Sequence, residues 1–221
     1  MRGRFVVFEG VEGSGKTTQV QRSHLWLQES GLLAKLAIPD APLVTREPGG
    51  TSLCQSIRSL LLTPTTEEPM QDRTELLLYA ADRAQHVDFL LRPQLAAGRL
   101  ILCDRYTDST IAYQGYGRGL DRALIDQLNQ IATAGLESDL TLWFDLEVEV
   151  GLARAQQRGG RDRIEQATLA FHQRVQQGFT ELAQAHPQRI VRIDASRSKA
   201  EVAAEVQAVL TERITAWYSP S

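Results

Sequence analysis

The chain has 221 residues, of which 24 are Lys or Arg and 27 are Asp or Glu, and its formal net charge is −3. This weak net charge excludes the extended cationic surface that binds a nucleic-acid polymer, and 43% hydrophobic residues exclude a disordered chain. Two cysteines are too few for a disulfide framework, and no apolar run reaches the length of a membrane span. We therefore expect one cytoplasmic domain over residues 1–221 that binds neither nucleic acid nor a membrane.

Short apolar strands alternate with helices along the whole chain. We predict strands at 5–8, 43–45, 99–103, 140–145 and 189–194. We predict helices at 16–28, 52–62, 73–97 with a kink or break at Pro93, 107–113, 122–134, 147–157, 165–185 and 198–217. Strands that are separated by helices pair in parallel. The sequence therefore predicts an α/β fold with a parallel sheet of about five strands and helices on both faces.

A glycine-rich stretch follows the first predicted strand and precedes the first predicted helix. It fits the pattern G-x-x-x-x-G-K-[ST], in which backbone N–H groups surround phosphate oxygens at a helix N-terminus. The pattern predicts a bound nucleoside triphosphate, with Lys16 on the β and γ phosphates and the Thr17 hydroxyl on Mg²⁺. The alternative is a glycine-rich turn with a solvated lysine. The predicted ATP-binding residues are Gly10, Val11, Glu12, Gly13, Ser14, Gly15, Lys16 and Thr17.

Two arginines stand at the ends of the second and third predicted strands, Arg46 and Arg105. Ligands of open α/β sheets bind at the carboxyl ends of the strands, so both guanidinium groups are expected near Lys16. They exceed what one triphosphate requires, and we infer a second anion in the same crevice. A regulatory GTPase is excluded as a class, because the chain has no N-K-x-D segment to read the base.

A cationic, glycine-containing stretch lies between two predicted helices near residue 160. Its arginines are Arg154, Arg158, Arg161 and Arg163. A solvated helix face normally interleaves acids with such arginines, but Asp162 is the only acid here. The pattern favours a short Arg-rich lid over about 151–165 that brings arginines to a transferring phosphoryl group.

Further segments, taken in order, resemble those of the thymidylate kinase family. After the phosphate loop come TREPGG at 45–50, DRYTDS at 104–109, AYQG at 112–115 and DRIE at 162–165. The resemblance covers nearly the whole chain. It implies a P-loop NTPase-type fold and phosphorylation of dTMP to dTDP with ATP and Mg²⁺, in dTTP synthesis. The chain is similar to the bacterial form that has no basic residue in the phosphate loop, where it carries Gly13, and whose lid holds the catalytic arginines.

The resemblance implies where the phosphate and sugar of dTMP bind. Arg46 and Arg105 would hold the acceptor phosphate. Glu12 would accept a hydrogen bond from the deoxyribose 3′-OH, and Tyr113 would crowd the 2′ position and disfavour a ribonucleotide.

The base site is implied in the same way. Arg83 would bond one thymine carbonyl and Gln114 the other base edge. Tyr79 would stack on the ring, where the family usually has Phe, and its added hydroxyl needs water or a polar partner.

The implied catalytic residues are Lys16, Arg105, Arg154 and Arg158. Asp104 would join Thr17 in holding Mg²⁺, whereas Arg161 has no firm counterpart in the family. Residues 37–42 look like an insertion before the second strand.

Simpler interpretations stand beside these roles. Arg83 and Tyr79 are four residues apart and could form a surface cation–π pair. Asp104 and Arg105 could be an ordinary strand end, and Glu12 could be exposed. The histidines, which lack ligand spacing, are expected at the surface; they are His24, His86, His172 and His186.

The expected reaction needs no general base, because the acceptor is a phosphate monoester that is already largely deprotonated. We expect direct in-line transfer, in which cationic groups overcome the repulsion between two anions. The alternatives are another nucleoside monophosphate kinase, acting for example on dUMP or AMP, and a non-catalytic nucleotide-binding regulator. The resemblance also implies a homodimer.

Overall fold

A five-stranded, fully parallel sheet lies at the centre of the fold, as predicted. The computed structural model describes residues 2–38, 41–63, 68–157 and 163–219. The strands are β1 Arg4–Gly10, β2 Leu43–Arg46, β3 Leu100–Asp104, β4 Leu140–Asp145 and β5 Ile190–Asp194. Their order across the sheet is β2-β3-β1-β4-β5. This is the P-loop NTPase-type arrangement, in which the first strand is central.

One or more helices follow each strand. They are α1 Lys16–Glu29, α2 Leu32–Lys35, α3 Ser52–Leu62, α4 Asp72–His86, α5 Arg92–Ala96, α6 Thr107–Thr110, α7 Arg122–Thr133, α8 Val148–Gln156, α9 Leu169–Ala185 and α10 Lys199–Tyr218. Two π-helical segments, Val87–Leu91 and Ile111–Gly117, follow α4 and α6 directly.

Several of the predicted helix boundaries differ from the structure, and two of the differences have a local physical cause. The helix expected over 165–185 begins at Leu169, because the Thr168 side chain caps it by accepting a hydrogen bond from the Phe171 N–H. The helix expected over 73–97 with a break at Pro93 contains a π-helical segment just before that residue. Pro93 itself lies in the first turn of α5, directly after this segment, and it has no N–H to donate to a carbonyl of the preceding turn.

The two faces of the sheet bury alternate residues of each strand. On β1, Val6 and Phe8 belong to a large cluster that includes residues of α1, α9 and α10. Phe5 and Val7 point to the other face, where they join residues of the Val87–Leu91 segment and α5. Because successive side chains of a strand point to opposite faces, a strand covered on both sides is a continuous apolar run. Helices therefore cover both faces, as predicted.

The strand register sets the position of the candidate site. Asp104, the last residue of β3, pairs with Phe8 of β1 and with Arg46 of β2. The loops that follow β1, β2 and β3 consequently leave the sheet at one edge. In the part of the chain that the structure describes, no helix is both long and apolar enough to cross a membrane.

Candidate active site

The loop between β1 and α1 is a phosphate-binding turn built on glycine. Gly10, Gly13 and Gly15 have φ values of 145°, 72° and 89°, a region that other residues enter only with strain. Lys16 folds back over this turn and is buried, and its Nζ donates to the carbonyls of Gly10 (2.9 Å) and Val11 (2.8 Å). Burial, followed by the charge of Arg105, lowers the pKa of Lys16 to about 8. An anion among the loop N–H groups would favour the charged form of this lysine.

Thr17 and Asp104 meet at the mouth of the loop. The Thr17 Oγ1 donates to the Asp104 Oδ2 at 2.5 Å. Both are hard oxygen donors, and Mg²⁺ in such sites takes one or two protein oxygens and completes its shell with water and substrate phosphates. Among the described residues, no group of three or more His, Cys, Asp or Glu side chains could hold a metal alone. The pair therefore fits a metal that arrives with a nucleotide.

Glu12 is the centre of a charged cluster between the phosphate loop and β3. Both of its carboxylate oxygens accept from the Tyr113 hydroxyl at 2.7 Å, and Oε1 also accepts from Arg105 Nη2 at 2.8 Å. Burial alone would raise the pKa of Glu12, but Arg105, Lys16 and the Tyr113 hydrogen bond together hold it below its usual value. Glu12 is thus an ionised acceptor, with only 11% of its side chain exposed, and the alternative of a solvent-exposed acid is wrong.

Arg105 connects the strand end to the phosphate loop. It has a positive φ of 72°, and its N–H donates to the Phe8 carbonyl. Its guanidinium donates to the carbonyl of Gly10 (3.0 Å) and to the Ser109 Oγ (3.1 Å). A strained backbone held by this many contacts is typical of a functional position. Arg105 is therefore more than an ordinary strand end.

Glu9 fixes the loop that carries Arg105, and the sequence patterns did not identify it. It is fully buried near the end of β1. Its Oε1 accepts from the N–H groups of Tyr106 (2.8 Å) and Ser109 (3.1 Å), and its Oε2 accepts from the Ser109 Oγ (2.5 Å). The available signal was an acid inside an apolar strand, since an unpartnered charge there would be very costly. Burial outweighs the charge of Arg105 and raises the pKa of Glu9 to about 7.

Arg83 lines the cleft and belongs to a buried ionic network. Only 2% of its side chain is exposed, so the alternative of a surface cation–π pair with Tyr79 is wrong. Its Nε donates to Glu47, its Nη1 to Asn129 and its Nη2 to the Tyr106 carbonyl, at 2.8 to 3.0 Å.

Two of the four histidines are buried, which overturns their expected surface placement. His86 is fully buried, and its Nδ1 and Nε2 bond Glu47 and Thr45 at 2.8 Å. His172 is 1% exposed, with its Nδ1 3.6 Å from a Glu12 oxygen. His86 lies on α4, whose buried face also carries charged side chains, so apolar periodicity does not indicate its burial. His172 is the one titratable residue on the otherwise apolar buried face of α9.

One cleft at the carboxyl edge of the sheet gathers most of the predicted site residues. All seven residues expected to bind dTMP line it: Glu12, Arg46, Tyr79, Arg83, Arg105, Tyr113 and Gln114. The cleft is also lined by Gly13, Gly15, Lys16, Thr17 and Asp104, whereas Gly10, Val11 and Ser14 lie behind it. Arg46 is exposed and has no hydrogen bond or ion pair to the described residues, so its guanidinium is available to an anion.

Of the predicted lid arginines, the two that the structure describes, Arg154 and Arg163, do not line this cleft. Arg154 is exposed on α8, and its Nη1 donates to the Ala195 carbonyl at 3.3 Å. Arg158, Arg161 and Asp162 lie outside the described residues. Arg163 is anchored to the body of the fold, because its Nε donates to the Leu61 carbonyl at 2.9 Å.

The phosphate loop and α8 touch through two glycines. A Cβ on Gly13 would lie 2.0 Å from the Gly151 carbonyl oxygen, and a Cβ on Gly151 would lie 2.4 Å from the Glu12 carbonyl oxygen. Neither backbone leaves room for a side chain between them. The first turn of α8, which leads to Arg154, is therefore positioned directly by the phosphate loop.

Comparison with known proteins gives a consistent result. A family model described as thymidylate kinase matches residues 8–206. A thymidylate kinase of Cyanothece sp. is 62% identical, over 99% of this chain and 97% of that protein. One from Nostoc punctiforme is 59% identical, over 95% of this chain and 96% of that protein. The crystal structure of thymidylate kinase from Ehrlichia chaffeensis superposes with a TM-score of 0.72 at 33% identity, and covers 95% of this chain and 99% of that one.

The raised pKa of Glu9 predicts a pH-dependent stability. Between about pH 4.5 and 7 the folded state holds a proton on Glu9 that the unfolded state releases, so the free energy of unfolding falls as pH rises through this window. The contribution is on the order of 3 kcal/mol. Glu9→Gln should flatten this part of the profile when urea unfolding is measured from pH 5 to 8. The exposed Glu29→Gln is the control, and an unchanged slope in Glu9→Gln would contradict the assignment.

The glycine contact predicts the effect of Gly151→Ala. Helix propensity alone would stabilise α8 by about 0.5–1 kcal/mol, but the new Cβ meets the Glu12 backbone. We expect a net loss of about 1–3 kcal/mol from overpacking. We also expect a fall in turnover of about tenfold or more, since misplacement by about 1 Å can cost on the order of 10²-fold. Thermal unfolding and steady-state assays check this against Val150→Ala on the same helix. A stabilised, fully active Gly151→Ala would disprove the coupling.

Proposed function

This chain belongs to the thymidylate kinase family and phosphorylates dTMP to dTDP, and we propose that it does so by direct in-line transfer of the ATP γ-phosphoryl group. The observation that carries the mechanism is one cleft, which is lined both by the phosphate loop and by the seven predicted dTMP residues. The alternatives, a kinase for another monophosphate and a silent regulator, have no support from the relatives named above, which are described as thymidylate kinases.

The phosphate loop provides the donor subsite. The N–H groups of the loop and the N-terminus of α1 would surround the ATP phosphates. Lys16 would exchange the carbonyls of Gly10 and Val11 for β and γ phosphate oxygens. Thr17 and Asp104 would hold Mg²⁺, which would neutralise phosphate charge when bound.

Arg46 and Arg105 form the acceptor subsite. Arg46 is exposed toward the cleft and Arg105 is fixed by four hydrogen bonds, counting its N–H. One guanidinium is therefore adaptable and the other preorganised, and both can bind a phosphate through paired donors. They would reduce the repulsion between the dTMP phosphate and the γ-phosphoryl group, and no base is required because the attacking oxygen carries no proton at neutral pH.

The sugar subsite is the hydrogen-bonded pair of Glu12 and Tyr113. The ionised Glu12 would accept from the 3′-OH in addition to its present donors. Burial and the neighbouring Glu12 keep the pKa of Tyr113 well above its usual value, so its hydroxyl stays protonated and in place. Its bulk would occupy the space of a 2′-OH.

The base subsite is formed by Arg83, Gln114 and Tyr79. Arg83 directs three of its five N–H groups to protein acceptors, which leaves donors for one thymine carbonyl. Gln114 is 2% exposed and would meet the other base edge. The aromatic face of Tyr79 would stack on the thymine ring.

Arg154 and Arg158 complete the proposed catalytic set. Arg154 would leave the Ala195 carbonyl for the γ-phosphoryl group, where charge accumulates during transfer. The same role for Arg158, and a lid over about 151–165, depend on the sequence pattern and the family resemblance.

An apolar surface favours a homodimer of this enzyme, which we place in the cytoplasm. The surface consists of exposed residues on α3, α4, α7 and the Val87–Leu91 segment: Leu53, Leu60, Leu77, Phe89, Leu124 and Ile131. Helix α4 packs against both α3 and α7, so the helices that carry these side chains are neighbours in the fold. An exposed apolar patch of this kind is typical of a protein interface, and a second copy would cover it with the same residues.

Arg154→Ala tests the catalytic proposal. We expect kcat to fall by about 10³-fold, as for other arginines that stabilise a transferring phosphoryl group, with little change in the KM for dTMP. The readout is coupled ADP release with dTMP, dUMP and AMP as acceptors, and the wild type should prefer dTMP. Arg22→Ala is the matched control, because this exposed arginine also donates to one carbonyl, that of Lys199. Lost dTMP affinity with turnover retained would rule the role out.

Ile131→Glu tests the homodimer. Ile131 is the most exposed member of the surface, at 77%, so the substitution should leave the fold intact and place a charge in the interface. Light scattering should give twice 24.6 kDa for the wild type and 24.6 kDa for the variant. Leu25→Glu, on α1 away from this surface, should remain dimeric, and a monomeric wild type would refute the assembly.

A further inference from the structure

A buried carboxylate holds the side-chain amide of Gln114. Glu75 on α4 is fully buried, and its Oε1 accepts from Gln114 Nε2 at 2.7 Å. The pair joins α4 to the π-helical segment that carries Gln114 and Tyr113. Glu75 itself does not line the cleft, so it would act on a ligand only through Gln114.

Two arginines compensate the charge of Glu75. Arg118 donates to its oxygens from Nε (3.3 Å) and Nη2 (3.0 Å), and Arg163 Nη2 lies 2.5 Å from Oε2. Burial would raise the pKa of Glu75, but the hydrogen bonds from Arg118 and Gln114 and the two positive charges hold it below its usual value. Glu75 is therefore an ionised carboxylate, which can accept hydrogen bonds but cannot donate one.

Because Glu75 is ionised, the side-chain amide of Gln114 has one favourable orientation. If Gln114 turned its Oε1 toward Glu75, two acceptors would face each other in a buried site, at a cost of about 1–3 kcal/mol for each unsatisfied group. The Nε2 atom is therefore directed at Glu75, and Oε1 is the atom left for the cleft. A glutamine without such a partner could present either its oxygen or its nitrogen to a base.

We propose that Glu75 is a positioning residue for base choice: it fixes Gln114 so that its Oε1 accepts from the N3–H of thymine. This proposal rests on the proposed function, which places Gln114 at the base edge. Cytosine has a lone pair at N3, so the same oxygen would face an acceptor and repel it. Discrimination between a 4-oxo and a 4-amino pyrimidine is thereby set by a residue that never touches the nucleotide.

Glu75→Gln is the direct test, because an amide at position 75 can donate as well as accept and no longer fixes the orientation of Gln114. The readout is kcat/KM for dTMP divided by kcat/KM for dCMP. This ratio does not depend on the fraction of folded enzyme, so lost stability cannot imitate the effect. We expect the ratio to fall by about tenfold or more. Asp72→Asn is the control and should keep the ratio. Asp72 lies on the same helix as Glu75, its Oδ1 is 3.4 Å from the Nε of Arg118, and it belongs to no subsite.

The double variant Glu75→Gln/Gln114→Glu, in which the two side chains are exchanged, provides a rescue. The amide at position 75 would then donate to the carboxylate at position 114, whose second oxygen would still accept from N3–H. The ratio should therefore recover toward the wild-type value. A wild-type ratio in Glu75→Gln, or no recovery in the double variant, overturns the proposal.

Gln114→Ala separates this proposal from the function on which it rests. If Gln114→Ala leaves the ratio unchanged, Gln114 does not read the base, and the base subsite proposed above is wrong together with the role of Glu75. If Gln114→Ala lowers the ratio but Glu75→Gln does not, the base subsite stands and only the positioning role of Glu75 is wrong.

Discussion

The ion pair between Arg105 and Glu12 is the interaction on which the cleft depends. It joins the end of β3 to the phosphate loop, and the same guanidinium also bonds the Gly10 carbonyl. Two strands that are neighbours in a parallel sheet thus share one charged connection at their carboxyl edge. Donor and acceptor subsites can lie at attack distance only if this edge stays rigid, because the bound phosphates repel each other.

Buried carboxylates give that edge its geometry. Glu9 holds the loop after Arg105, and Glu75 holds Gln114. Glu47 binds both Arg83 and His86. A buried ion pair adds little to stability, since desolvation offsets most of the attraction. The effect of these buried carboxylates is conformational. Each one accepts several hydrogen bonds from fixed donors, and only one arrangement of the surrounding side chains satisfies all of these bonds.

The positions of the strands along the chain and the phosphate loop could be predicted from the sequence, because both are local patterns of consecutive residues. The roles of Glu9 and Glu75 could not be predicted, because their partners Ser109 and Gln114 lie 100 and 39 residues away. The wrong placement of His86 has a related cause. It lies on α4, whose buried face also carries charged residues, and a helix that buries polar residues has weak amphipathic periodicity. The contact between Gly13 and Gly151 could not be predicted from a sequence pattern, since neither residue has a side chain.

Burial also explains why arginine rather than lysine serves as the second cation of the cleft. Lys16 is buried beside Arg105, and its pKa falls to about 8, so an amine in this environment approaches loss of its charge near neutral pH. A guanidinium keeps its charge under the same desolvation. Lysine can serve at the phosphate loop because an incoming triphosphate restores its proton affinity. A lysine at position 105 would be subject to the same loss of charge, whereas Arg105 stays charged beside Glu12.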